Sequence, residues 1–249
     1  MSYKFEENII LLFFASFVFI VLVYLFCPMG PFRRGVILIY SIESLSNDSE
    51  IDNKYERTIL LLGDSILANE NYVPKGKTVF DFLKRKIENE NANANANERE
   101  RMKVKMFARD NYVINDVNLQ ITSLPISYNS KQNFIVLSVG GNNFLTGTSY
   151  NTATKEYLFL IEKIKETFPE CKLYLVNLYR PFAIEFRIYN KIISDWNDFL
   201  KGIVENGKAD GIVDISRVIT EKDDLVYKIE PSVIGSEKIA GAIVDVVSG

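Results

Sequence analysis

The chain has 249 residues, 47% of them hydrophobic and 24% charged, which suits one domain of ordinary size with a sizeable core plus an appendage. A formal net charge of −3 with both signs interspersed offers no basic face to a phosphate backbone, so nucleic acid is excluded as an expected partner. Cys27 and Cys171 are too few for a disulfide framework or a cysteine-held zinc, and histidine is absent altogether, which removes the commonest metal ligand and any ordinary Ser-His-Asp triad. No metal and no organic cofactor is expected.

Residues 1–8 make a short tail, after which residues 9–27 carry no charge and are rich in Phe, Leu, Ile and Val. At about 1.5 Å per residue this run is just long enough to cross a hydrocarbon layer of roughly 30 Å. No small-residue cleavage site ends it and no polar stripe interrupts it, so a single-pass transmembrane anchor is expected rather than a signal peptide or a core helix. A lipid bilayer is thus the expected partner of residues 9–27. Lys4, Glu6 and Glu7 precede the run and Arg33 and Arg34 follow it, which leans toward a cytoplasmic C-terminal part. The sequon Asn47-Asp48-Ser49 has meaning only in the opposite orientation, so the side of the membrane stays open. Residues 28–54, polar and acidic from Ser41 onward, read as a linker into a globular domain over 55–249.

The aliphatic run Thr58-Ile59-Leu60-Leu61-Leu62 predicts a strand buried on both faces of a parallel sheet, and Gly63 permits the sharp turn into Asp64-Ser65. Ser65 then stands where strand gives way to helix, and helix N-terminal N–H groups stabilise negative charge on an attacked carbonyl oxygen. Val79, Phe82, Leu83 and Ile87 have helical spacing. Gly76-Lys77-Thr78 before them reads as a turn, because Asn71 stands where a phosphate-binding loop needs its first glycine. The Asn-Ala alternation in 89–100 predicts a low-complexity surface loop that packs against nothing.

A short strand carrying Val104, Met106 and Ala108, a helix over 116–124, and a buried strand at 134–138 ending in Gly140-Gly141-Asn142-Asn143 follow. Tyr157, Leu160, Ile161, Ile164 and Phe168 form one helical face, and 173–176 is the next strand. Ile184, Ile188, Ile192, Trp196 and Leu200 recur every four residues, a stripe read as helix core rather than a partner surface. A strand at 211–215, an irregular acidic stretch, Glu230-Pro231-Ser232 and a helix with Ile239, Ile243 and Val246 complete the chain. This alternation predicts a three-layer α/β/α domain with a mostly parallel, flavodoxin-like sheet, preceded by the transmembrane helix. Sites in such sheets form beyond the carboxyl ends of the strands, where Ser65, Asn111, Asn142 and the segment before the last helix lie.

In this order the residues resemble the SGNH/GDSL hydrolase superfamily from about Thr58 to the C-terminus. Ile59-Leu60-Leu61-Leu62-Gly63-Asp64-Ser65 resembles the first block, which implies Ser65 as nucleophile. Ala108-Arg109-Asp110-Asn111 is similar to the second, where a glycine N–H serves the oxyanion hole; Asn111 stands in its place and tolerates left-handed geometry better than most residues. Val139-Gly140-Gly141-Asn142-Asn143-Phe144 resembles the third, which implies Asn142 as an oxyanion donor. Ile229-Glu230-Pro231 through Lys238 resembles the last block, with Glu230 in the position of the family's histidine, Tyr227 in that of its aspartate, and Asp223 and Asp224 slightly upstream.

A glutamate near its usual pKa of about 4.3 is a poor base for a serine hydroxyl, but burial raises it, and an adjacent aspartate such as Asp224 reinforces the rise. Lys228, two residues away, opposes it. Two functions remain in play. One is a membrane-anchored esterase or acyl hydrolase acting on a small-molecule, lipid or acylated carbohydrate ester, with Ser65, Glu230 and Asp224 as catalytic residues and Asn111 and Asn142 holding the oxyanion. The other is an inactive binding module of the same fold that recognises a polar ligand such as a saccharide. A third reading of Glu230 alone is a carboxylate favoured at the start of a helix.

Overall fold

A computed structural model describes residues 57–93 and 101–248. The expected anchor at 9–27 and linker at 28–54 lie outside the described residues, and among those described no helix is long and apolar enough to cross a membrane.

Five parallel strands form the sheet: β1 (Arg57–Gly63), β2 (Met102–Met106), β3 (Phe134–Ser138), β4 (Lys172–Val176) and β5 (Gly211–Val213), in the order β2-β1-β3-β4-β5. β1 is central because its sequence is apolar without alternation, so both faces must be covered; Ile59 through Leu62 have no exposed surface. Helix α1 (Val79–Asn93) follows β1, α2 (Ile114–Ile121) follows β2, the short α3 (Gly141–Leu145) and α4 (Tyr150–Thr167) follow β3, α5 (Asn190–Glu205) follows β4, and α6 (Val233–Ser248) closes the domain. α1 packs on α6, and α2 and α5 pack on α4, giving the two helical layers that right-handed crossovers from this strand order require. A separate antiparallel hairpin, β6 (Leu225–Val226) and β7 (Glu230–Pro231), precedes α6.

Local chemistry sets the boundaries. Thr78 and Asp81 exchange hydrogen bonds at the start of α1, where Asp81 N–H donates to Thr78 Oγ1 at 3.0 Å and Thr78 N–H to Asp81 Oδ2 at 3.0 Å. The turn expected at Gly76-Lys77-Thr78 is thus the entry to a helix. α2 begins at Ile114, two residues before the expected start, with Asp116 Oδ2 accepting from Val113 N–H at 3.1 Å.

Two expectations need correction. The loop expected over 89–100 is helical as far as Asn93, and Asn91 clasps the first residue of β2: its Nδ2 donates to Met102 O at 2.7 Å while Met102 N–H donates to its Oδ1 at 3.0 Å. The fourfold stripe at 184–200 is not one helix face. Trp196 and Leu200 are buried on α5, but Ile184 and Ile188 belong to a separate 3₁₀ segment, Ile184–Tyr189, and stand in the open.

Candidate active site

Gly63 has φ 128°, and a Cβ there would lie 1.7 Å from the carbonyl oxygen of Ser138 on β3. Only glycine fits, and the chain can therefore turn sharply enough for Asp64 N–H to donate to that oxygen at 2.8 Å. This sets Ser65, 5% exposed, beyond the end of β1. Asn142 sits in α3, just after β3, so the two residues leave neighbouring strands at the point where the strand order reverses. Asn142 Nδ2 donates one hydrogen to Tyr112 O at 3.0 Å, which fixes the amide and leaves its second hydrogen for a ligand.

Glu230 arrives on the hairpin. Val226 pairs with Glu230, and the turn between them, closed by Ile229 N–H to Val226 O at 3.2 Å, places Tyr227 and Lys228 at positive φ, 47° and 73°. Three contacts hold this turn. Tyr179 OH donates to Ile229 O at 2.6 Å, Lys228 pairs with Glu185 at 2.5 Å, and the rings of Tyr227 and Tyr72 meet edge to face at 6.2 Å. Behind the hairpin, Asn69 Nδ2 donates to Pro231 O at 3.3 Å and to Ser236 Oγ at 2.6 Å, while its Oδ1 accepts from Val79 N–H at 3.0 Å.

Ser65, Asn142, Asp64 and Glu230 line one cleft, whose remaining wall is largely apolar, with Leu178, Phe186, Ile192 and Ile193 among its members. Burial raises Glu230 to about 6; a hydrogen bond with the Ser65 hydroxyl works against that rise, and the charge of Asp110 adds to it. Asp64 is fully enclosed, and burial lifts it to about 7 although its Oδ1 accepts from Ile66 N–H at 3.2 Å and Ser138 Oγ–H at 3.0 Å; the charge of Glu230 pushes the same way. Among the described residues no group of three or more His, Cys, Asp or Glu side chains is placed to hold a metal ion.

No protein-family model matches the sequence, and no curated protein matches it. Solved structures do. A lipolytic G-D-S-L family protein from Veillonella parvula superposes with a TM-score of 0.63 at 17% identity, covering 77% of this chain and 98% of that one. A GDSL-like lipase from Parabacteroides merdae gives 0.61 at 14% identity over 78% and 96%. A family 3 carbohydrate esterase from Clostridium thermocellum gives 0.60 at 16% identity over 78% and 98%. The chain has the SGNH/GDSL hydrolase fold.

Within that SGNH fold the sequence-derived residues divide. Ser65, Asn142 and Glu230 share the cleft. Asn111 adopts the left-handed conformation expected of it, φ 61°, but its side chain is exposed and it does not line the cleft. Asp224 does not join Glu230. The hairpin register sets it two residues beyond the Val226–Glu230 pair, opposite Ser232, whose N–H donates to its carbonyl at 2.8 Å. Its carboxylate meets Lys238 at 2.7 Å and accepts from the N–H groups of Thr220 and Glu221 at 2.9 Å each. Burial would raise its pKa, but these partners outweigh burial and hold it below the usual range. Lys228 is likewise drawn off to Glu185, so it does not lower Glu230. Three SGNH-site neighbours escaped the sequence reading: Asp64, Asp110 and Tyr179. The first two sit inside the recognised blocks, so their signal was an acid directly beside a motif residue; Tyr179 gave no signal, because its part is played through a main-chain carbonyl 50 residues on.

Proposed function

We propose that the protein is a membrane-anchored ester hydrolase, held in the bilayer through residues 9–27, with Ser65 as nucleophile and Glu230 as base. The observation that carries this reading is the convergence of Ser65, Asn142 and Glu230 on one cleft, where burial raises the Glu230 carboxylate to about 6. A carboxylate at its ordinary pKa would take the serine proton poorly; a desolvated one is a stronger base and is still ionised at neutral pH.

In the first step Ser65 Oγ bonds to the ester carbonyl carbon as its proton passes to Glu230. Asn142 Nδ2 and the backbone N–H of Ser65 receive the oxyanion. Collapse breaks the bond to the leaving alkoxide, which takes the proton from Glu230, and an acyl-serine remains. Water then repeats the sequence, giving its proton to Glu230 as it attacks, and releases the acid and Ser65. A lipase from a goat rumen metagenome, a family 3 carbohydrate esterase and an acetyl xylan esterase share the fold, which supports an acylated lipid or carbohydrate as substrate class.

The test is covalent. A serine-directed aryl phosphonate is expected to label the wild-type protein and not Ser65→Ala, and short-chain aryl ester turnover is expected to vanish in that variant. Equal turnover by the two proteins would end the proposal.

A further inference from the structure

The 3₁₀ segment Ile184–Tyr189 has two faces. Phe186 and Tyr189 line the cleft beside Ser65, whereas Ile184 and Ile188 stand 73% and 79% exposed. Phe182 just before the segment, Leu145 on the cleft wall and Tyr227 at the hairpin tip are also exposed, and the Lys228–Glu185 pair ties that tip to the segment. Single exposed apolar residues are ordinary, but Ile184 and Ile188 on one short segment, with Leu145 on the wall that segment faces and Tyr227 beside the Lys228–Glu185 pair, make a patch. Cations are set among them: Arg180 and Arg187 are exposed, while the exposed Lys191 pairs with Asp195 at 2.6 Å and Glu185 is taken up by Lys228.

We propose that this rim docks on an anionic bilayer surface, so that the cleft opens onto the lipid and takes an ester drawn from it. The docking itself needs no reaction at Ser65; the substrate class named here rests on the ester-hydrolase reading. Exposed isoleucine and phenylalanine interleaved with arginine and lysine is the composition of segments that lie in the headgroup region, where apolar side chains enter the acyl boundary and cations meet anionic lipid. Leu178, Ile192 and Ile193 line the same cleft as Ser65, an apolar wall against which an acyl chain can lie. The chain's own apolar run ends at residue 27 and β1 begins at Arg57, leaving 29 residues between them. Even wound as one helix, that length would reach about 43 Å, ample for the rim to meet the same bilayer. A second copy of the chain is the poorer occupant, since a two-fold contact would set the rim's cations against themselves.

The full chain in vesicles of brominated phosphatidylcholine, with or without phosphatidylglycerol, tests this. Trp196 is the single native tryptophan and is fully buried, so it gives a constant background. The emission of Ile188→Trp is expected to be quenched, more so with phosphatidylglycerol, while Phe159→Trp, an exposed site on α4 away from the cleft, is not. Adding Ile184→Ser to Ile188→Trp is expected to lower the docked-to-undocked ratio roughly tenfold. Equal quenching at the two sites, or none at residue 188 because a second copy or residues 1–56 cover the rim, overturns the proposal. Ser65→Ala is expected to leave the quenching unchanged, so loss of the hydrolase reading and loss of this one are read separately.

Discussion

Glu230 is the residue on which the chemistry turns, and its environment dictates a pH dependence. The base must be ionised to accept the Ser65 proton, so turnover is expected to rise as pH increases through about 6, the value to which burial lifts this group. Glu230→Gln keeps the shape and loses the base, and its rate is expected to fall about 10²–10⁴-fold with the rising limb abolished. Asp110 supplies part of the shift through its negative charge, and Tyr72 OH donates to its Oδ1 at 2.7 Å. Asp110→Asn retains that acceptor and removes the charge, so the limb is expected to move to lower pH. A limb that stays in place when the pH-rate profile of this variant is measured would show that Asp110 does not act on the base.

At the scale of elements, what the sequence disclosed and what it withheld have separate physical causes. The strands at β1 and β3 were legible because a sheet covered on both faces demands unbroken apolar runs, and the glycines after them because close strand approach at Gly63 leaves no room for a Cβ. Ser65, Asn142 and Glu230 were legible through the motifs, whereas the place of Asp224 was decided by hairpin register, which a linear reading cannot fix. Periodicity misled at 184–200, since a spacing of four says that side chains would align on a helix and not that the helix is continuous. Composition misled at 89–93, where Asn91 offers edge strand β2 the two hydrogen bonds a neighbouring strand would supply. Asn91→Ala is accordingly expected to cost about 1–2 kcal/mol in denaturant unfolding, by leaving both backbone groups of Met102 without that partner. An unchanged midpoint would return this stretch to the status of a passive loop.

For the molecule as a whole, two buried acids beside one serine carry a stability consequence. Asp64 and Glu230 have folded pKa values of about 7 and about 6, against ordinary values of 3.8 and 4.5. Between those limits the folded state holds protons that the unfolded state has released, so stability falls as pH rises from about 4 to about 7 and levels off above. Glu230 alone contributes about 2 kcal/mol of that decline at 1.36 kcal/mol per pH unit, and Asp64 adds to it in the same direction. Asp224 and Asp214 behave oppositely: held below their ordinary values, they contribute stability at neutral pH that is lost as pH drops below about 4, which sets the acid side of the optimum. The protein is therefore expected to melt highest near pH 4–5. Asp64→Asn isolates the larger of the two raised acids, because the amide oxygen can still accept from Ile66 N–H and Ser138 Oγ–H while the titration disappears. Thermal melts are expected to place this variant above wild type at about pH 8 and to show the gap narrowing as pH falls below about 7 and closing toward about pH 3, below the ordinary value of 3.8, where Asp64 is protonated in both states. A variant less stable than wild type at pH 8 would mean that the enclosed carboxylate is favourably paired there, and the account of a site kept basic by exclusion of water would fail with it.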